Sequence, residues 1–76
     1  MRSHIDVITR GVAQMIMAQY GITKENINGI LEGGSLRLEA KEYLKKFEKS
    51  QPDIIKILPK CIDKVIVDIK FLTKNI

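Results

Sequence analysis

The sequence predicts an all-α protein, a small three- to four-helix bundle that packs as a homodimer. Apolar residues recur at helical spacing through most of the chain, and glycine or proline separates the segments that show this spacing. The chain has only 76 residues, of which 45% are hydrophobic and 29% charged. It is therefore predicted to form one ordinary globular domain over residues 1–76.

The first helix is predicted over residues 5–20. Ser3 and Asp6 stand three positions apart, as in a capping box, and Gly21 supplies a typical C-terminal stop. Apolar side chains nearly encircle the helix, which is typical of a helix that is buried on most sides. Residues 11–22 carry no charge but are too few to span a bilayer, so we expect no membrane insertion.

The second and third helices are predicted from capping residues and from one apolar face. The short second helix covers residues 24–31, because Thr23 is a typical N-cap and Gly33 follows as a stop. The third helix covers residues 36–49 and has one apolar face, formed by Leu36, Ala40, Tyr43, Leu44 and Phe47. Ser50 is predicted to cap the segment that comes next.

The remainder of the chain combines a strand pattern with a helix pattern. Four apolar residues alternate as in a strand: Val65, Val67, Ile69 and Phe71. Seven apolar residues repeat at spacings of three and four, as in a heptad seam: Ile55, Leu58, Ile62, Val65, Ile69, Leu72 and Ile76. The helix pattern is favoured, because it matches seven residues and the strand pattern only four. A lone strand would also have no partner strand in the chain. We predict a helix that is kinked or begins anew near Pro59.

For a single chain of this size, the free energy gained by apolar burial and the free energy lost by ordering the chain nearly cancel. Apolar burial supplies on the order of 120 kcal/mol, and ordering the chain costs roughly 115 kcal/mol. Small domains usually add a disulfide, a metal or a partner. Cys61 has no second cysteine to pair with, and His4 with Cys61 gives too few ligands for zinc. We therefore predict that the partner is a second copy of the chain.

The predicted interface between the two copies consists of four residues of the heptad seam: Ile62, Val65, Ile69 and Leu72. Further apolar residues flank the seam, and together they form a wider face than one neighbouring helix covers. In the alternative, the helices of one chain cover one another and the seam is internal core.

We predict no enzymatic activity and no bound metal or cofactor. Ser3, His4 and Asp6 are the residue types of a hydrolytic triad, but they are near neighbours in sequence, where side chains point in different directions. Cys61 lies among apolar residues, which predicts a buried structural thiol. A single unpaired thiol also fits a reducing compartment, so we expect the protein in the cytoplasm.

Basic residues form two ridges on the predicted helices, and the net charge of the chain is +4. The ridges are Arg37, Lys41, Lys45 and Lys49 on the third helix, then Lys56, Lys60 and Lys64. Such a charge weakly favours acidic partners. Acidic residues are interspersed, so both ridges also fit an ordinary solvated face. We select Arg37, Lys41 and Lys45 as candidate contacts for nucleic acid or an acidic partner.

Residues 21–34, GITKENINGILEGG, resemble the turn and recognition helix of Cro and phage-repressor type helix-turn-helix domains. The resemblance gives the helix cap to Thr23 and implies that Lys24 and Asn28 face the major groove of DNA. Met17 departs from the family pattern, which has a small residue four positions before the turn glycine.

We therefore predict a small, cytoplasmic, homo-oligomeric module that binds or regulates another, unidentified protein. The alternative function is a helix-turn-helix DNA-binding regulator that uses residues 23–32. Salt distinguishes the two functions, because binding to duplex DNA weakens steeply as the salt concentration rises.

Overall fold

The computed structural model describes residues 4–74, and every regular element in that range is a helix. The elements are α1 (His4–Tyr20), α2 (Ile27–Glu32), α3 (Ser35–Lys45), α4 (Asp53–Lys56) and α5 (Leu58–Lys74). The three long helices α1, α3 and α5 contact one another, while α2 and α4 are short segments of the connections between them. The predicted all-α fold is confirmed, and the pairing with a second copy stays a prediction.

Helix α1 ends where the sequence predicts. Gly21 adopts a positive φ of 59°, which ordinary residues avoid, and the Ile22 N–H then donates to the Met17 carbonyl at 3.0 Å. The buried Thr9 hydroxyl donates to the Asp6 carbonyl at 3.1 Å. The predicted capping role of Ser3 lies outside the described residues.

The start of the second helix differs from the prediction. Regular helix begins only at Ile27, and residues 24–26 form a turn. Thr23 and Asn26 bind each other reciprocally: the Thr23 N–H donates to Asn26 Oδ1 at 2.7 Å, and the Asn26 N–H donates to Thr23 Oγ1 at 3.4 Å. Thr23 therefore caps the turn that precedes α2, because Asn26 takes the place of the Glu or Gln of a capping box.

Helix α3 is shorter than predicted and ends at Lys45. The N–H groups of residues 46–48 then each donate to a carbonyl three positions back, which is the hydrogen-bond pattern of a 3₁₀ turn. The Ser50 hydroxyl donates to the Phe47 carbonyl at 3.2 Å. The prediction that Ser50 caps the next helix is therefore wrong, because its hydroxyl closes the turn after α3.

The predicted break near Pro59 is confirmed. Ile57 separates α4 from α5 with a non-helical φ of −120° and ψ of 31°. Pro59 is the second residue of α5, where its missing N–H leaves no helical hydrogen bond unmade. Residues 64–71 are helical, so the heptad pattern outweighs the strand pattern in this segment.

The middle of the heptad seam lies inside the single chain, whereas Ile55 is exposed and Ile76 lies outside the described residues. Val65 and Ile69 are fully buried, Ile62 is buried, and Leu72 is half-buried against the same core. Their neighbours in the core include Val12 of α1, while Leu36 and Leu44 of α3 belong to the same cluster. The helices of one chain thus cover these four residues, as in the internal alternative. A contact with a second copy has to use another surface.

Helices α1 and α5 run in the same direction. Asp6 near the start of α1 forms an ion pair with Lys64 of α5. One turn further along α1, the Arg10 guanidinium lies 5.8 Å from the centre of the Phe71 ring, which comes later in α5. This direction brings the end of α5 towards the chain that follows α1.

Candidate functional site

A cleft of about 360 Å³ lies between α2, the turn before it and the last turns of α5. Six residues line the cleft: Lys24, Ile27, Asn28, Lys70, Thr73 and Lys74. We call it the lysine cleft. Its lining joins two segments that are more than 40 residues apart in the sequence.

The segment before and within α2 positions one wall of the lysine cleft. Ile27 is buried and anchors α2 to the core. The Thr23–Asn26 pair, together with a 3.0 Å hydrogen bond from the Asn26 side-chain amide to the Gly21 carbonyl, fixes the turn that carries Lys24. Lys24 itself is exposed. These hydrogen bonds thus fix the position of the Lys24 backbone relative to the end of α1.

The last turns of α5 form the other wall. Lys70 and Lys74 stand four positions apart, so they share one face of the helix, and both are exposed. Thr73 is buried, and its hydroxyl donates to the Ile69 carbonyl at 2.6 Å. That hydroxyl proton is already used, and Thr73 and Ile27 give the cleft a largely apolar floor between charged walls.

The electrostatics of the lysine cleft favour an anion. Three lysines line it, and no acidic residue is among its lining. Within residues 4–74, none of Lys24, Lys70 and Lys74 has an ion-pair partner. A ligand with several carboxylate or phosphate oxygens can therefore contact more than one lysine at a time. The exposed Asn28 amide adds a neutral donor and acceptor beside them.

The structure separates the five contacts that the sequence selects. Lys24 and Asn28 line the lysine cleft, whereas Arg37, Lys41 and Lys45 lie outside its lining on α3. The Arg37 guanidinium is 2.8 Å from an oxygen of Asp63 on α5, and both side chains are about half exposed. Arg37 therefore already has an acidic partner within the chain.

The contribution of α5 to the cleft was not predicted from the sequence. Lys70 and Lys74 have a clear helical spacing, but nothing local connects them with Lys24. Their meeting depends on the shared direction of α1 and α5, which is a property of the tertiary fold. Only a prediction of that packing would have identified the three lysines as one group.

A second, smaller cavity of about 190 Å³ lies between α1 and α5. Asp6 and Asp68 line it together with Arg10 and Lys64, so the two acidic and two basic groups balance. Lys64 forms its ion pair with Asp6 there, and Arg10 lies over the ring of Phe71. These contacts join α1 to α5, so we assign this cavity a structural role.

Cys61, His4 and Asp6 do not belong to the lining of the lysine cleft. Cys61 is buried, as the sequence predicts, and burial raises the pKa of its thiol, which disfavours the reactive thiolate. His4 is exposed at the start of α1, and Asp6 is engaged by Lys64. Ser3 lies outside the described residues. Among residues 4–74, no three His, Cys, Asp or Glu side chains are grouped to hold a metal ion.

Comparisons of the chain with known protein families, with curated proteins and with solved structures give no match. Among the helices of the described residues, none has both the length and the apolar character needed to cross a membrane.

Proposed function

We propose that this chain is a non-enzymatic binding module that holds an acidic segment of a partner protein in the lysine cleft. One observation carries the proposal: three lysines without ion-pair partners among the described residues converge on one cleft with an apolar floor. Coulomb attraction and hydrogen bonds to the ammonium groups would hold acidic side chains, and Ile27 would contact an apolar group between them.

The size of the cleft supports a short peptide segment as the ligand. A volume of about 360 Å³ is at the lower end for ligand pockets, which suits a few side chains of an extended or helical segment. The walls come from α5 and from the capped turn before α2, so the backbone that carries the lysines is held by packing and hydrogen bonds. Such preorganisation lowers the entropy cost of binding.

Duplex DNA is the second candidate ligand. Lys24 and Asn28 are exposed next to each other, as the helix-turn-helix resemblance requires. Against this, α2 has six residues and presents Gly29 in its middle, which leaves few side chains to contact base edges. The exposed Glu25 would also repel phosphates beside Lys24. The acidic peptide is therefore the favoured ligand.

The test is fluorescence anisotropy with a labelled peptide of alternating glutamate and leucine, measured at low salt and at physiological salt. The test variant carries Lys70→Glu and Lys74→Glu. The matched control carries Lys41→Glu and Lys45→Glu, which also stand four apart on an exposed helix face and change the net charge equally. We expect the cleft variant to weaken binding at least tenfold and the control variant to change it much less.

Two results would contradict the proposed function. An equal loss of affinity in both variants would show that the peptide responds to net charge alone. A labelled DNA duplex that binds more tightly than the peptide, and loses affinity on Asn28→Ala, would establish the DNA-binding alternative.

A further inference from the structure

The smaller cavity between α1 and α5 contains one carboxylate that its structural role does not use. We call this cavity, which Asp6, Arg10, Lys64 and Asp68 line, the charged cavity. The contacts that join the helices there, from Asp6 to Lys64 and from Arg10 to the Phe71 ring, do not involve Asp68. Asp68 is only 9% exposed, and within the described part of the chain it makes no side-chain hydrogen bond or ion pair. Burial of a carboxylate without a partner is costly, so the position of Asp68 requires an explanation.

The carboxylate of Asp68 is open to the charged cavity. Among the described side chains, no fully buried nitrogen or oxygen atom lacks a hydrogen-bond partner. Because Asp68 has no such partner, both of its carboxylate oxygens must keep some exposed surface, although the residue as a whole is nine-tenths buried. Asp68 belongs to the lining of the cavity, so a molecule in the cavity can reach these oxygens.

The four residues of the charged cavity form two oppositely charged pairs between the helices. Asp6 and Arg10 stand four positions apart on α1, and Lys64 and Asp68 stand four positions apart on α5, so the members of each helix share a face. Since the helices run in the same direction, Asp6 lies opposite Lys64 and Arg10 lies opposite Asp68. The first pair is in contact as an ion pair. The second pair is not, because the Arg10 nitrogens and the Asp68 oxygens lie more than 4.0 Å apart.

We infer that the charged cavity binds a small zwitterionic amino acid, whose ammonium group binds to Asp68 and whose carboxylate binds to Arg10. The inference is independent of the lysine cleft, because the two linings have no residue in common. It leaves the ion pair between Asp6 and Lys64 in place as the contact that joins α1 to α5.

The hydrogen-bonding groups of Arg10 and Asp68 match the two charged groups of an amino acid. Among the described residues, no hydrogen bond or ion pair uses the Arg10 guanidinium, so its N–H groups can donate to a carboxylate. An ionised Asp68 can only accept hydrogen bonds, and an ammonium group only donates them. A ligand that carries one of the two charges would leave either Arg10 or Asp68 without a partner.

The charge of the cavity favours a ligand without net charge. Its lining contains two acidic and two basic residues, and a zwitterion keeps that balance. A metal cation at Asp68 would be repelled by the positive charges of Arg10 and Lys64, which line the same cavity. The two charges of the ligand must therefore belong to one small molecule.

The volume of the charged cavity limits the size of the amino acid. A volume of about 190 Å³ is below the roughly 300 Å³ at which ordinary ligand pockets begin. It has room for about six waters of ~30 Å³ each, and alanine has a comparable number of non-hydrogen atoms. We therefore expect the cavity to accept alanine or serine and to exclude amino acids with aromatic side chains.

The test is a titration of isotope-labelled protein with alanine at physiological salt, followed through the backbone amide chemical shifts in NMR spectra. Acetate and ethylamine are titrated separately, because each carries only one of the two charges of alanine. We expect alanine to shift the amides of residues 6–10 and 64–68, with a dissociation constant in the millimolar range. Acetate and ethylamine should each bind at least tenfold more weakly.

Two variants of equal charge change test the role of Asp68. Asp68→Asn keeps the shape of the side chain and removes the charge that the ammonium group needs, so it should weaken alanine binding at least tenfold. Asp63→Asn is the matched control, because the Asp63 side chain is 64% exposed on the same helix and lies outside the cavity lining. Its affinity for alanine should equal that of the wild type. Circular dichroism verifies folding, and if Asp68→Asn unfolds, Arg10→Gln tests the carboxylate contact with the same expected loss.

Four results would overturn the inference. Alanine that shifts no amide at tens of millimolar shows that the cavity does not bind it. Acetate or ethylamine that binds as tightly as alanine shows a site for a single charge. Shifts confined to the residues that line the lysine cleft assign the binding to that cleft, and an unchanged affinity in folded Asp68→Asn excludes the contact with Asp68. None of these results affects the peptide titration that tests the proposed function.

Discussion

Ile69→Ala is expected to remove a large part of the stability of the single chain. Ile69 is fully buried in the core that α1, α3 and α5 form together. Truncating a buried isoleucine to alanine costs about 2–5 kcal/mol, from lost burial and from the cavity that remains. A chain of this length has a total stability of about 4–11 kcal/mol. The substitution should therefore remove about a fifth of it at the least, and about half of it at the middle of both ranges.

A matched control lies on the same helix. Val67 is 60% exposed and points away from the core, so Val67→Ala should change the free energy of unfolding by less than about 0.5 kcal/mol. In thermal unfolding, about 4–8 °C accompanies each kcal/mol for a domain of this size. Ile69→Ala should thus lower Tm by about 10 °C or more, and Val67→Ala by a few degrees at most.

Urea denaturation at one fixed protein concentration measures both changes. The urea dependence of the unfolding free energy should stay the same in the two variants, because each loses stability without changing the fold. Equal costs at positions 69 and 67, or a cost below about 0.5 kcal/mol at Ile69, would refute the internal placement of the heptad seam. The measurement is then repeated at a lower protein concentration. If the cost of Ile69→Ala disappears there, Ile69 contacts a second copy of the chain and not the core of its own.

Three further predictions concern backbone, cap and thiol. Gly34→Ala should lower the free energy of unfolding by about 1 kcal/mol, measured by thermal unfolding, since Gly34 has a φ of 74°. Gly29→Ala should raise it by about 0.5 kcal/mol, because Gly29 lies in a helix with open space around it. Thr23→Ala should cost about 0.5–2 kcal/mol and also weaken peptide binding at the lysine cleft, with Thr23→Ser as the rescuing control. Burial raises the pKa of the Cys61 thiol, so the thiol of the unfolded chain ionises first, and the free energy of unfolding should fall as pH rises above the ordinary thiol pKa. Cys61→Ala should remove this contribution to the pH dependence of stability. An unchanged pH dependence in that variant would contradict the burial of the thiol.

Local features of the sequence determined what could be predicted of the fold. Gly21 ends α1 and Pro59 marks the start of α5, because each residue acts on its own backbone and its nearest neighbours. The Thr23–Asn26 pair was missed, because asparagine is an uncommon member of a capping box. The hydrogen bond of Ser50 was assigned to the wrong side, since a serine between two helices has a possible partner in each direction.

Features that depend on packing could not be predicted from sequence patterns. The heptad spacing of Val65 and Ile69 shows that one face of α5 is apolar, but it holds equally for a partner in the same chain or in a second copy. The lysine cleft was half predicted: Lys24 was found through its neighbours, while Lys70 and Lys74 required knowledge of how α5 lies against α2.

The order of the helices along the chain has a consequence during synthesis. α1 and α3 emerge from the ribosome before α5, yet α5 contacts both of them and supplies several of the fully buried residues of the core. Until α5 has emerged, the inner apolar side of α1 has no complete core to enter, and the lysine cleft has only one wall. Folding is therefore expected to follow translation of α5, and the incomplete chain exposes the kind of apolar surface that chaperones bind.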